Sequence, residues 1–320
     1  MSDHVTVVGA GAWGTALAIQ AHRAGRMVTL VARPAAAAAI AVSRTNARLP
    51  GITLPAGIRV ADGMPDAGDL VLWVAPMQHL RDSLRTHRPT GVPVVVCAKG
   101  VERQTDRLPL EVLAEVAPDC PGAILSGPNF AHEIALGLPA ASVVAAADAA
   151  LRDRIAATLS TGTFRLYGND DPVGAQLGGA AKNVIAIAAG AVIGAGLGEN
   201  ARAALVTRGL AELRRLVAAV GGKAETVMGL SGLGDLLLTC TGPSSRNFAF
   251  GHALGRGQGV AETLAASAGV VEGASTAEAL LARAGAVELP ICRAVADVIA
   301  GRCSLAEAMQ ALLSRPRRDE

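Results

Sequence analysis

Lys182 and Asn183 lie within a stretch of small and apolar residues, where a plain core helix would carry no charge. A lysine with such neighbours is partly desolvated, which suits it to proton transfer with a reacting oxygen. The amide of Asn183 can orient a hydroxyl or carbonyl group of a ligand. A surface lysine whose ammonium reaches water is the alternative for this segment taken alone.

Two further polar segments occur in the second half of the chain. Asp235 is a lone carboxylate in a loop rich in Gly and Leu, where it either belongs to a site or caps a helix. Ser245, Arg246 and Asn247 are consecutive. Because a guanidinium binds phosphate through paired N–H bonds, this second segment predicts an anion pocket. An exposed turn is the alternative.

Polar residues also follow two strand candidates in the first half. Lys99 follows an apolar run that ends at Cys97, and Gly127 and Asn129 follow a run that ends at Leu125. In an open α/β sheet, the residues just beyond the carboxyl ends of the strands line the ligand crevice. We therefore expect Lys99, Gly127 and Asn129 at one edge of the sheet.

The chain begins with a β-branched run, Val5–Val8, and then a glycine-rich turn with Gly9, Gly11 and Gly14. This spacing between a strand and a helix is typical of dinucleotide-binding βαβ units. Gly9 allows the tight turn, Gly11 lets the backbone approach a pyrophosphate, and Gly14 lets the helix pack closely. The helix N-terminus attracts the diphosphate. The turn predicts a nicotinamide dinucleotide cofactor, with an ordinary glycine turn as the alternative.

The residue after the second strand bears on which dinucleotide is used. Arg33 stands where an acidic residue would accept hydrogen bonds from the adenosine ribose. A guanidinium instead suits a 2′-phosphate and can stack on adenine. We predict that NADPH/NADP is preferred and that NADH/NAD is also used. A merely solvent-exposed Arg33 is the alternative.

Two differently built parts of the chain must position these groups. Strand candidates such as Met27–Val31 alternate with helical stretches such as Ala149–Leu159, whereas helical patterns such as Val173–Gly194 dominate later. This predicts an α/β protein with an N-terminal Rossmann-like, doubly wound, mostly parallel sheet and a C-terminal all-α domain. We place the dinucleotide-binding domain at residues 1–171 and the helical substrate and catalytic domain at residues 172–320.

The other predicted strands are Leu70–Ala75, Val92–Cys97, Gly122–Leu125, Ser142–Ala146 and Phe164–Tyr167. The other predicted helices are Trp13–Ala24, Arg202–Val220 and Thr276–Arg283.

Composition excludes several classes of protein. The chain is 51% hydrophobic but 2% aromatic, with 37 Gly, so small residues in packed helices supply its apolar content. The stretch Val184–Gly198 is shorter than a bilayer span, which predicts a buried helix and no membrane insertion. A net charge of +2 gives no attraction to nucleic acid. Five scattered Cys predict no metal site, and with the lack of a secretory leader they predict a cytoplasmic enzyme.

The order and spacing of the motifs resemble those of the bacterial NAD(P)-dependent glycerol-3-phosphate dehydrogenases. The resemblance runs from residue 5 to about residue 280. The matching segments are Gly9–Ala18, Asn46 with Leu49–Gly51, Ala98–Gly100, Ser126–Pro128 with Phe130, Ala131 and Glu133, Lys182–Val184, Gly232–Leu236 with Thr239 and Cys240, Ser245–Asn247, and Val271–Gly273.

The resemblance implies roles for particular residues. The cofactor contacts, with the turn glycines included, are Gly9, Gly11, Ala12, Trp13, Gly14, Arg33, Lys99, Ala131, Arg246, Val270 and Glu272. The substrate residues, to which we add Asn183, are Lys99, Gly127, Asn129, Lys182, Asp235, Ser245, Arg246 and Asn247. Lys182 is the implied general acid/base. Asn129 departs from the Ser or Thr often found in the family, and Pro34 stands where a second basic residue sometimes occurs.

The reaction implied is the reversible NAD(P)H-dependent reduction of dihydroxyacetone phosphate to sn-glycerol 3-phosphate, which supplies the glycerophospholipid backbone. Lys182 would stabilise the charge that develops on the ketone oxygen and deliver the proton. Asp235 and Asn183 would hold Lys182 and the substrate hydroxyl, and Arg246 and Asn247 would clamp the phosphate. A small phosphorylated substrate and a homodimer are the implied partners.

Two alternatives remain open. The first is a related reductase of a carboxylate substrate, such as a β-hydroxyacid dehydrogenase or a ketopantoate-type reductase. The second is a non-catalytic dinucleotide sensor. The Ser245–Asn247 segment together with Lys99 favours a phosphate over a carboxylate, and Lys182, Asp235 and Arg246 favour catalysis over sensing.

Overall fold

The computed structural model describes residues 4–65, 68–267 and 269–315. The chain divides into two compact units, the first of residues 1–99 and 107–176 and the second of residues 100–106 and 177–320.

The first unit is built on one eight-stranded sheet. Its strands are β1 (His4–Val8), β2 (Met27–Val31), β3 (Ile58–Ala61), β4 (Leu70–Trp73), β5 (Val94–Val96), β6 (Gly122–Ser126), β7 (Ala140–Ala145) and β8 (Phe164–Asn169). The spatial order is β3-β2-β1-β4-β5-β6-β7-β8. Pairing is parallel from β3 through to β6, antiparallel between β6 and β7, and parallel again between β7 and β8. The first six strands have the order of a Rossmann sheet.

Among the described residues, the α-helices that accompany the sheet are α1 (Ala12–Arg23), α2 (Pro34–Ser43), α3 (Leu80–His87), α4 (Pro109–Val116), α5 (Ala131–Leu136) and α6 (Ala149–Leu159). The central strands are buried on both faces because helices cover both sides of such a sheet. Val5 and Val7 of β1 and Leu70 and Leu72 of β4 are at most 2% exposed. The core of the unit lies along these central strands.

The described residues of the second unit form helices joined by turns and loops, with no strand among them. It contains most of α7 (Pro172–Gly194), and then α8 (Gly198–Ala219), α9 (Asp235–Cys240), α10 (Arg246–Gly255), α11 (Val260–Ala266), α12 (Glu272–Ala284), α13 (Pro290–Ile299) and α14 (Leu305–Leu313). The segment 100–106 joins this unit, where the carbonyl oxygens of Ser275 and Asp106 accept hydrogen bonds from Arg103 and Arg283 respectively.

The long helix α7 is the centre of the second unit. Among the described residues, it is the one helix whose length and composition would allow it to cross a membrane. However, 89% of its most apolar window is buried inside the structure, as in the core helix of a folded domain. The prediction of a buried helix is confirmed: the predicted stretch Val173–Gly194 begins one residue after α7 begins and ends where α7 ends, whereas the apolar run Val184–Gly198 continues four residues past the end of the helix.

The predicted fold class is confirmed: a mostly parallel sheet with a helical C-terminal part. Strand β2 and helix α6 have their predicted bounds. Strand β3 and the reversed direction of β7 were not predicted, and α8 begins at Gly198 rather than at Arg202. A helical connection can join antiparallel strands as well as parallel ones, so alternation of strands and helices does not determine direction.

Candidate active site

The glycine turn (residues 9–14) joins β1 to α1 at the carboxyl edge of the sheet. Gly9 has a φ of 111°, a region that favours glycine. A Cβ on Gly14 would lie 1.8 Å from the carbonyl oxygen of Gly9, so only glycine allows α1 to start this close to the strand. A Cβ on Gly11 would meet no atom within 4 Å. No described protein atom therefore requires residue 11 to be glycine.

The N-terminus of α1 fits a diphosphate. Its N-cap, Gly11, provides no side-chain hydrogen bond to the first backbone N–H groups of the helix. Such N–H groups, at the positive end of the helix dipole, are a common anion site. Asn46 braces the turn, because its Nδ2 donates to the carbonyl oxygen of Ala10 at 3.0 Å and to Thr15 Oγ1 at 2.7 Å. The residues present thus fit the predicted dinucleotide.

The other residues predicted to contact the cofactor in the first unit are close to this turn or to the ends of strands. Ala12, Trp13 and Ala131 are partly buried and pack against the same hydrophobic core. Arg33 is exposed and lies directly before α2, two residues beyond the end of β2. Its guanidinium is thus accessible from solvent at the carboxyl edge of the sheet.

Lys99, Gly127 and Asn129 come together as predicted for strand ends of one sheet. Lys99 Nζ donates to the carbonyl oxygen of Gly127 at 3.1 Å. Gly127 has a φ of 142°, and a Cβ there would lie 3.0 Å from Ser142 Cα. Asn129 Nδ2 donates to Ser142 Oγ at 2.5 Å. The fully buried Ser142 of β7 therefore holds Asn129 in place.

In the second unit, Lys182 of α7 lies in a buried group that we call the lysine cluster (Lys182, Asp235 and Thr239). Its Nζ is 2.5 Å from Asp235 Oδ1 and 2.9 Å from Thr239 Oγ1. The side chains of Lys182 and Asp235 are 10% and 1% exposed. A surface lysine is thereby excluded. Asp235 does not cap a helix, since its carboxylate instead neutralises a buried ammonium.

Local backbone geometry brings Asp235 to Lys182. A π-helical turn, Leu230–Gly234, leads into α9, so that Asp235 is the first residue of the helix. A Cβ on Gly178 of α7 would lie 2.4 Å from the carbonyl oxygen of Ser231 in that turn. The glycine therefore lets the turn rest directly on α7. Turns of this kind often occur at functional sites.

Thr239 completes the lysine cluster, and the site residues predicted from the sequence did not include it. Its hydroxyl donates to the carbonyl oxygen of Asp235 at 2.6 Å and accepts from Lys182. The signal was its spacing, because a residue four positions after Asp235 faces the same side of α9. Next to it, burial raises the pKa of the Cys240 thiol to about 12. This thiol stays neutral beside the cluster.

The second group is a chain of hydrogen bonds that we call the amide relay (Gly273, Asn247 and Asn183). The backbone N–H of Gly273 donates to Asn247 Oδ1 at 2.9 Å. Asn247 Nδ2 donates to Asn183 Oδ1, also at 2.9 Å. Both asparagines are buried, and Asn183 follows Lys182 on α7. The predicted substrate amides are thus in direct contact with each other.

The remaining predicted residues surround the N-termini of α10 and α12. Ser245 is buried and caps α10 by accepting from the Phe248 N–H, so it is not part of an exposed turn. Arg246 is exposed, and a Cβ on Gly269 would lie 2.5 Å from its Nη1. Val270 is 40% exposed, and Glu272 is the first residue of α12. The guanidinium of Arg246 therefore lies beside the segment that precedes α12.

The second unit as a whole presents a buried ammonium, aligned amides and an arginine. This set can stabilise negative charge on an oxygen, transfer a proton to it, and bind an anionic group. The first unit presents a helix N-terminus suited to a diphosphate and a lysine beside a glycine carbonyl. Taken unit by unit, these groups suit the binding of a dinucleotide and the reduction of a carbonyl compound that carries an anionic group.

Comparisons with known protein families agree with this chemistry. The family described as "NAD-dependent glycerol-3-phosphate dehydrogenase N-terminus" matches residues 4–152, and the family described as "NAD-dependent glycerol-3-phosphate dehydrogenase C-terminus" matches residues 171–310.

Individual relatives are similar over their full length. A glycerol-3-phosphate dehydrogenase [NAD(P)+] from Acidiphilium cryptum is 55% identical over 317 residues, which cover 98% of this chain and 97% of that protein. One from Gluconobacter oxydans is 51% identical over 318 residues, with the same coverage of both proteins. The crystal structure of glycerol-3-phosphate dehydrogenase from Coxiella burnetii superposes with a TM-score of 0.93 at 35% identity, covering 98% of this chain and 99% of that one.

Proposed function

The chain belongs to the NAD-dependent glycerol-3-phosphate dehydrogenase family, and from this premise we propose that it catalyses the reversible reduction of dihydroxyacetone phosphate to sn-glycerol 3-phosphate. The cofactor, NADPH or NADH, supplies the hydride when bound. The observation that carries the proposal is the lysine cluster, a buried ammonium held by a carboxylate and a hydroxyl.

Lys182 is the general acid in this scheme. As negative charge develops on the ketone oxygen, its ammonium stabilises that charge and then delivers a proton to the oxygen. In the reverse direction the neutral amine takes the proton from the hydroxyl. Asp235 and Thr239 fix the position of Nζ, and the carboxylate compensates the buried charge.

The phosphate of the substrate is bound by hydrogen-bond donors. Arg246 offers a paired set of N–H groups, and Ser245, Asn247 and Asn183 add a hydroxyl and two amides. Lys99 lies beside Gly127, where its ammonium contributes to binding of the substrate, the cofactor or both. Fixing the phosphate fixes the ketone carbon for hydride transfer.

The cofactor is bound by the glycine turn in residues 1–171, which form the dinucleotide-binding domain of the proposal, and residues 172–320 form the substrate and catalytic domain. The exposed guanidinium of Arg33 supports a preference for NADPH, because it can pair with a 2′-phosphate. Val270, just before α12, and Glu272, its first residue, add contacts to the cofactor.

Membership of the family also bears on location, oligomeric state and metabolic role. We place the enzyme in the cytoplasm, as a homodimer, supplying glycerol phosphate for phospholipid synthesis. All five cysteines are free, which accords with a reducing compartment. Light scattering of the purified protein measures the predicted dimer directly.

One assay tests the activity: oxidation of NADPH by the purified chain in the presence of dihydroxyacetone phosphate. Unphosphorylated dihydroxyacetone and a 2-keto acid serve as matched substrates. We expect turnover of the phosphate ester and little of the other two. Preferred reduction of the keto acid would identify a carboxylate reductase, and tight NADPH binding without any turnover would identify a sensor.

A further inference from the structure

We propose that Gly273 is a positioning residue for substrate binding: its backbone N–H orients the amides of Asn247 and Asn183 so that the N–H groups not used between them face the substrate. This inference rests on the proposed function, because it specifies how that site receives the oxygens of a triose phosphate. It concerns only contacts within the second unit.

The backbone N–H of Gly273 determines the orientation of the Asn247 amide. A backbone N–H can only donate, so the atom of Asn247 that faces Gly273 at 2.9 Å must be the carbonyl oxygen Oδ1. Gly273 lies in the first turn of α12, where backbone N–H groups have no acceptor within the helix. Its N–H is therefore available to a side chain, and Nδ2 of Asn247 must point the other way.

The Asn247 amide in turn determines the orientation of the Asn183 amide. Asn247 Nδ2 donates to Asn183 Oδ1 at 2.9 Å, so Nδ2 of Asn183 is directed away from Asn247. Both amide oxygens are then turned toward donors inside the relay. The N–H groups that remain are suited to oxygens that only accept hydrogen bonds, namely those of a ketone or a phosphate.

The close contact between α12 and α7 explains why residue 273 is glycine. A Cβ there would lie 2.5 Å from the carbonyl oxygen of Asn183 and 2.9 Å from Ile187 Cδ1. Any side chain would push the start of α12 away from α7 and lengthen the bond to Asn247. Glycine is a poor helix residue, so its occurrence inside α12 calls for a reason of this kind.

The central experiment is a double-mutant cycle on the full-length enzyme with the KM for dihydroxyacetone phosphate as readout. We expect Gly273→Ala to raise this KM about tenfold, as for loss of a buried hydrogen bond. If Gly273 acts through Asn247, the double variant Gly273→Ala/Asn247→Ala has the same KM as Asn247→Ala alone. Multiplying effects, or an unchanged KM for Gly273→Ala, would overturn the proposal.

Ala274→Gly is the matched control. It alters helix propensity in the same turn of α12 without changing the group that faces Asn183, and we expect it to keep the wild-type KM. A KM raised as much as that of Gly273→Ala would mean that general loosening of this turn explains the effect. NADPH binding, followed by fluorescence, shows whether each variant is folded.

A second variant tests the relay without changing the backbone. The carboxylate introduced by Asn247→Asp still accepts from Gly273 but cannot donate to Asn183, so the Asn183 amide turns its oxygen toward the substrate. We expect the KM to rise about tenfold at neutral pH and to fall toward the wild-type value as acid protonates the new carboxyl group. A KM ratio to wild type that does not change with pH would overturn the proposal.

Different results would contradict the proposed activity and the role of Gly273. If the wild-type chain does not reduce dihydroxyacetone phosphate, the proposed function is wrong. If the wild type reduces it and Lys182→Ala does not, but the cycle is additive, the function stands and the role of Gly273 is wrong.

Discussion

The glycine turn of the first unit and the amide relay of the second use glycine for different purposes. In the turn, Gly14 lets a helix approach its own strand, and Gly11 has no protein atom in the way of a side chain. In the relay, Gly273 lets one helix approach another that lies some ninety residues earlier in the chain, Asn183 being the contact. The turn is a local motif visible in the sequence. The relay exists only once the helices have packed.

The largest effect should come from the lysine cluster. We expect Lys182→Ala to lower kcat by about three orders of magnitude, within the range of lost general acid catalysis. The Kd for NADPH should stay within about twofold, because the variant leaves the glycine turn intact. Steady-state kinetics and NADPH fluorescence measure the two values. Near-wild-type turnover would remove Lys182 from catalysis.

Substitutions at two glycines of the turn should distinguish an effect on folding from an effect on cofactor binding. Gly14→Ala forces a clash with the Gly9 carbonyl oxygen, so we expect unfolding free energy to fall by about 1–3 kcal/mol and NADPH to bind far more weakly. Gly11→Ala meets no protein atom and should keep the wild-type Tm while weakening NADPH binding. Thermal melts and titrations of both variants are the measurement. Equal Tm losses would contradict the distinction between them.

The specificity of the turn should depend on a residue outside it. We expect Arg33→Gln to raise the KM for NADPH about tenfold, through loss of a charged hydrogen bond to the 2′-phosphate, and to leave that for NADH nearly unchanged. Arg85→Gln, at an exposed arginine of α3 with a side chain 62% accessible, is the control. A loss shared equally by both cofactors would assign Arg33 to adenine stacking instead.

Within the lysine cluster, Thr239 should affect rate more than binding. Thr239→Val keeps the shape but removes the hydroxyl that accepts from Lys182 Nζ, and we expect kcat to fall about tenfold with little change in KM. Thr239→Ser should restore most of the rate. If the serine variant is as slow as the valine variant, packing rather than the hydrogen bond is responsible.

The smallest effect concerns stability in the second unit, away from both sites. Glu212 of α8 is buried and accepts the N–H groups of Ile291 and Cys292 at the start of α13. Burial raises its pKa above the ordinary 4.5, against the lowering effect of those hydrogen bonds. The folded state therefore holds this proton more tightly than the unfolded chain. The stability that this gives is present below pH 4.5 and is lost as the pH rises through the raised pKa.

Glu212→Gln should remove the loss of stability that accompanies rising pH. Below pH 4.5 we expect the variant to match the wild type within about 1 kcal/mol, and its relative stability to increase as the pH rises. Urea unfolding across this pH range measures the difference. Parallel curves for the two proteins would show that Glu212 does not titrate in the folded state.

The sequence predicted what is encoded locally. The bounds of β2 and α6 and the position of the glycine turn follow from runs of neighbouring residues. Strand β3 was missed because it is short and lies at the sheet edge, with an exposed Arg59. The hydrogen bonds of Asn129 to Ser142 and of Lys182 to Thr239 join residues of different elements, and no spacing rule identifies them in advance.

The predicted site residues owe more to the resemblance than to pattern. From its own segment, Asp235 was as consistent with a helix cap as with a site, and packing decided in favour of the ion pair with Lys182. The amide relay could not be predicted, because it depends on how closely α12 approaches α7. The separation of two helices, to within tenths of an ångström, is a property of the folded core.

The burial of α7 has a consequence for how the protein is made. This helix of 23 residues leaves the ribosome before α10 and α12, whose glycines pack on it in the finished fold. During that interval its apolar surface is exposed, as in other folding intermediates that are prone to aggregation. The lysine at its centre gains its partners Asp235 and Thr239 only once α9 has been synthesised. Growth of the nascent chain thus sets when this enzyme can first become active.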